Sequence, residues 1–137
     1  AMKLWMLAVA MSLQAATSPV QTIAKEMMSS LDTPTQAVAR TADEWAALWK
    51  RHAPAQPLPA ADLSKRTVVA VFLGSRPSGG FAVEITGTRV KDGVTTVEWR
   101  EKRPGPDEMN AQIITSPAHI ASIPKVAGEI RFEKLEK

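Results

Sequence analysis

Residues 67–73 (TVVAVFL) form an unbroken run of β-branched and apolar side chains. Such a run, with no polar residue at alternate positions, is the pattern of a central strand buried on both faces. Material to cover it lies upstream, in residues 41–52 (TADEWAALWKRH). Thr41 and Glu44 stand at capping-box spacing, so each side chain is expected to accept from an N–H at the start of a helix. Asp43 and Glu44 suit the positive end of that helix, and Lys50, Arg51 and His52 its negative end. Trp45, Leu48 and Trp49 fall at i, i+3 and i+4 and make one apolar stripe. Two tryptophans on one stripe bury a large area against a sheet, at about 25 cal/mol per Å².

The remaining segments read as short strands and turns. Residues 20–24 (VQTIA) and 36–40 (QAVAR) flank a turn at Leu31-Asp32-Thr33-Pro34. In 81–86, Phe81, Val83 and Ile85 alternate with Glu84, and in 94–100 Val97 and Trp99 point inward. Asp92-Gly93 between those segments is a hairpin signal. Residues 103–110 read as a polar loop, and 111–115, 120–123 and 128–133 as three further strands. Residues 53–61 (APAQPLPAA) form an extended connector too short to separate a pair of domains. The expected fold is α+β: a mainly antiparallel sheet or open barrel of about eight short strands, with one amphipathic helix packed on it. A chain of 137 residues, 45% of them hydrophobic, suffices for one such core.

The first residues read as an address. Lys3 precedes the apolar run 4–13 (LWMLAVAMSL), and Ala15, Ala16 and Thr17 follow, which is the layout of a secretory signal peptide. Retention of this run as an apolar helix in the mature fold is the competing reading. The run is far short of the ~20 residues that span a bilayer. The expected division is therefore a signal-peptide-like segment at 1–16 and a single domain at 17–137. The expected location is periplasmic or secreted, without a stable membrane anchor. The sequence holds no cysteine, which excludes disulfides, thiolate metal sites, a cysteine nucleophile and N-terminal lipidation. Net charge is +3 and the basic residues alternate with acids, as in Glu98-Trp99-Arg100-Glu101-Lys102-Arg103. That pattern argues against a nucleic-acid partner.

The segment Gly74-Ser75-Arg76-Pro77-Ser78-Gly79-Gly80-Phe81 joins two strands. It reads as a hairpin loop with turn chemistry, or as a rigid loop presenting Arg76, Ser78 and Phe81 to a partner. Phosphate-cradling glycine motifs are absent, and no helix follows. Ser78 would need His52 or His119, oriented by Asp62 or Asp107, to act as a nucleophile, and no G-x-S-x-G elbow surrounds it. Two histidines without ligand spacing suggest no metal. The expectation is a non-enzyme without a cofactor.

Read in order, several blocks resemble the PrcB C-terminal domain family: Asp43-Glu44-Trp45-Ala46-Ala47-Leu48-Trp49, residues 68–74, and Arg76-Pro77-Ser78-Gly79-Gly80-Phe81-Ala82-Val83-Glu84-Ile85. Pro104-Gly105-Pro106, Thr115-Ser116-Pro117-Ala118-His119-Ile120 and Ile123-Pro124-Lys125 continue the pattern, over about residues 20–133. The resemblance implies an exported bacterial protein that supports the assembly and stability of a serine protease complex. This sequence departs from the family in lacking a lipidation cysteine. Phe81 stands where tyrosine is typical, and Ala118 where an aromatic is usual. The leading expectation is an exported accessory protein that binds another exported protein, a protease being the family's example. Its candidate partner-binding residues are Arg76, Pro77, Ser78, Gly79, Gly80 and Phe81 with Ser116, Pro117 and His119. A small-molecule or peptide binder using a barrel mouth comes second, favoured by a deep apolar cavity. A serine hydrolase built on Ser78 comes third.

Overall fold

The computed structural model describes residues 20–136; the signal-peptide-like segment lies outside them. Seven strands and one helix follow in the order β1 (Gln21–Glu26), β2 (Thr35–Ala39), α1 (Ala42–His52), β3 (Arg66–Phe72), β4 (Ala82–Lys91), β5 (Val94–Lys102), β6 (Ala118–Pro124) and β7 (Glu129–Lys134). The α+β class is borne out, with a mainly antiparallel arrangement and one amphipathic helix. The strands divide into two sheets, of order β1-β6-β3-β2 and β4-β5-β7. All pairs are antiparallel except β5 with β7, which is parallel. Residues 111–115 form no strand and contribute only an isolated bridge, Thr115 to Arg76.

Alternation along β3 explains the layering. Val68, Ala70 and Phe72 face α1, packing with Trp45, Leu48, Trp49, Ala118 and Ile120. Val69 and Val71 face the second sheet and meet Val83, Ile85, Val97, Trp99, Ala121 and Ile123. The four-stranded sheet is thus the middle of three layers, and its central strand is covered twice, as its unbroken apolar run requires. Among the described residues these side chains pack the space between the sheets.

Helix α1 is fixed at both ends. Thr41 Oγ1 accepts from Glu44 N–H at 3.1 Å, while Glu44 Oε1 accepts from the N–H of Arg40, one residue ahead of the cap. The Glu44 half of the expected box is therefore shifted outward by one residue. The indole N–H groups of Trp45 and Trp49 donate to the carbonyls of Pro59 and Gln56 at 2.9 and 3.1 Å. The proline-rich connector is thereby tied down over the helix. At the β4–β5 hairpin Asp92 and Gly93 both have positive φ, 52° and 78°, the primed-turn geometry that matches strand twist.

Every strand joined to the β1–β2, β3–β4 and β5–β6 connections begins or ends at the same end of the molecule, where β7 also terminates. This loop end gathers residues 27–34, 73–81, 103–117 and 135–136.

Candidate functional site

The loop end is held by backbone ties. Arg76 and Thr115 exchange N–H···O bonds of 2.8 and 2.9 Å, and Gly79 N–H donates to the Ala111 carbonyl at 2.9 Å. Ser116 N–H donates to the Met27 carbonyl at 2.7 Å and Ser29 N–H to the Ser116 carbonyl at 2.9 Å. The segment 111–116 therefore runs between the 76–79 loop and residues 27–29. Gly80 has φ +90°, and a Cβ there would lie 2.7 Å from Asn110 Oδ1; the position admits only glycine without rearrangement.

Arg76 is the hinge of this arrangement. Its Nε donates to Glu101 Oε2 at 2.8 Å, its Nη1 donates to the carbonyls of Leu73 and Ser75, and its guanidinium lies 6.0 Å from the centre of the Phe81 ring. The Glu101 side chain is 1% exposed, although it stands in a run of exposed charges. It shares the inward face of β5 with Val97 and Trp99, at the end where the sheets part. Lys134 Nζ also reaches it, at 3.2 Å. The hydrogen bond from Arg76, opposed by burial and helped by Lys134, holds the Glu101 carboxyl below the ordinary carboxylate range.

Of the expected contact residues, Arg76, Pro77, Ser78 and Phe81 reach the surface to some degree, as does Gly80. Gly79 is buried against Ala111. Ser116, Pro117 and His119 are interior residues, which corrects their placement on a contact surface. Ser116 Oγ donates to the Leu31 carbonyl, and the Pro117 carbonyl accepts from Leu73 N–H. His119 Nδ1 accepts from Ile85 N–H at 2.8 Å, leaving Nε2–H for Thr22 Oγ1 at 2.8 Å. Burial, with Lys25 nearby, lowers the His119 pKa to about 4, so this ring is a neutral cross-brace between β1, β6 and β4.

Ser78 has no base. Its hydroxyl donates to the Gly79 carbonyl, and both histidines are engaged elsewhere. His52 Nδ1 shares a 2.7 Å hydrogen bond with Ser29 Oγ, and its Nε2 lies 2.7 Å from Glu26 Oε1. This serine–histidine–carboxylate string joins β1 to the end of α1. With Ser29 and His52 only 7% and 1% exposed, it is closed to a substrate, and Ser29 Oγ is already accepting from Leu31 N–H. Among the described residues no group of three His, Asp or Glu side chains is placed to hold a metal ion.

What the sequence reading missed is apolar. Met27, Met28, Ile113, Ile114 and Met109 are 45%, 62%, 53%, 69% and 97% exposed. They are five of the seven large hydrophobic side chains left exposed among the described residues, and all five belong to the loop end. The signal was present as the adjacent pairs Met27-Met28 and Ile113-Ile114. An extended backbone turns neighbours to opposite faces, so both members of a pair cannot enter one core.

Residues 67–124 match the family model described as PrcB C-terminal. The PrcB C-terminal match runs from β3 through β6 and takes in the whole Arg76–Thr115 tie. It bears out the resemblance over that stretch, which is narrower than the blocks read from sequence. Neither the curated proteins nor the solved structures include a match to the chain.

Proposed function

We propose that the chain is an exported, non-catalytic accessory protein that docks through its loop end onto another exported protein, a protease being the partner class the PrcB C-terminal family suggests. The observation that carries this reading is the gathering of Met27, Met28, Met109, Ile113 and Ile114 at one end. Exposed apolar side chains scattered singly need no explanation, but a cluster at one end marks a surface that another molecule covers. Methionine adapts its shape to a partner, and Arg76 with Phe81 stands on the same end as an orienting pair. Backbone ties hold residues 111–116 between the 76–79 loop and residues 27–29, which lowers the ordering cost of association.

The test is genetic and biochemical together. Removing the chain from its host is expected to lower the amount of an envelope protease; wild type should restore it, and the double substitution Met28→Glu with Ile114→Glu should not. Unchanged protease levels in every strain would overturn the accessory role.

A further inference from the structure

On the opposite flank of the loop end, between the start of β2 and the end of β7, lies a cleft of about 360 Å³. Its wall includes Thr35, Gln36, Phe72, Arg76, Trp99 and Lys134. Two of these side chains are cations, and both serve the single carboxylate of Glu101, at 2.8 and 3.2 Å. Arg103 Nη2 stands a little farther from it, at 3.8 Å, so positive charge around this carboxylate is in excess. Arg76 uses Nε and Nη1 on Glu101, Leu73 and Ser75, and its Nη2 makes no hydrogen bond to a described residue. Lys134 Nζ stands 5.5 Å from the centre of the Trp99 ring.

Trp99 supplies the independent observation. The residue is 7% exposed, and its Nε1–H is buried with no acceptor among the described residues. An indole nitrogen only donates, and a buried donor without an acceptor is uncommon enough to need a reason. Lys134, which lies over the ring, is 47% exposed. The wall thus combines excess positive charge and donors from Arg76 and Lys134 with Trp99, whose indole N–H is unsatisfied. The Pro34 ring offers an apolar lining for a hydrocarbon stem.

We propose that this cleft binds a carboxylate, delivered by the C terminus of a polypeptide or by a small organic acid. A planar carboxylate fits the fork of donors on Arg76, whereas a phosphate dianion would bring more negative charge against Glu101. The cleft shares Arg76 with the docking end, but neither Met28 nor Ile114 lines it.

The experiment follows the Trp99 indole N–H resonance, assigned with Trp99→Phe, during three titrations of the folded protein. These use acetate, a short peptide with a free C terminus and no acidic side chain, and the same peptide amidated. The carboxylates move the resonance and the amidated peptide does not. Lys134→Gln weakens the binding on the order of tenfold, as expected for one charged hydrogen bond. Tighter binding of the free-acid peptide than of acetate identifies a polypeptide terminus, and a response to acetate alone identifies a small acid. A resonance that no carboxylate moves, an equal response to the amidated peptide, or full affinity in Lys134→Gln overturns the site. Met28→Glu/Ile114→Glu leaves all three titrations unchanged, so failure of the docking reading and failure of this one are separable.

Discussion

Glu101 is held charged and His119 neutral, and both are interior residues that tie one sheet to its surroundings. Removing the Glu101 charge strands Arg76 and Lys134 without their partner. Glu101→Gln is expected to cost about 1–3 kcal/mol in urea denaturation at neutral pH. Because its folded pKa is depressed, its contribution is whole above the ordinary carboxylate range and is lost as pH falls through the lowered value. His119 acts in a higher window. Its pKa falls from 6.5 to about 4 on folding, so the unfolded chain takes up the proton first as pH drops below 6.5. The stability owed to the neutral ring is complete above that pH and declines toward pH 4, by on the order of 2–3 kcal/mol. Stability measured from pH 7 to 4 should show this slope in the wild type and lose it in His119→Asn, whose amide oxygen can still accept from Ile85 N–H. Equal slopes in the two proteins would mean that His119 is not the titrating group.

At the scale of the elements, α1 depends on its cap. Thr41 Oγ1 is the side-chain acceptor for Glu44 N–H, so Thr41→Ala is expected to lower stability by about 1 kcal/mol, read from the urea midpoint. Thr41→Ser should retain most of that. The helix, the two-faced strand β3 and the Asp92-Gly93 hairpin were all legible in the sequence, because each is written in local chemistry. Capping spacing, an unbroken apolar run and a turn that needs positive φ act over a few residues. The strand expected at 111–115 was not confirmed, since Gln112, Ile113 and Ile114 are exposed on a loop whose isolated bridges, Thr115 to Arg76 and Ser116 to Met28, lie at its end. The parallel pairing of β5 and β7 was illegible for another reason. The four residues between β6 and β7 pass from one sheet to the other, steered by Arg40, whose guanidinium donates to the carbonyls of Val126 and Gly128. That long-range contact leaves no local trace. In the candidate site, Arg76 and Phe81 were visible as loop residues. The burial of Ser116, Pro117 and His119 was not, because it depends on how β6 sits between β1 and β3.

For the molecule as a whole, three layers hold a single end on which loops, exposed methionines and isoleucines, and a basic cleft are collected. The opposite end carries the β4–β5 hairpin and Val90, which is 70% exposed and remote from the loop end, so it serves as an internal control. The most direct test of docking through the loop end is the native size of the complex formed by the tagged protein in its own envelope fraction. Wild type and Val90→Glu are expected to migrate together in a large assembly. Met28→Glu/Ile114→Glu should run at the size of the free chain, with its thermal transition unchanged. If all three migrate alike, the loop end is not the docking surface.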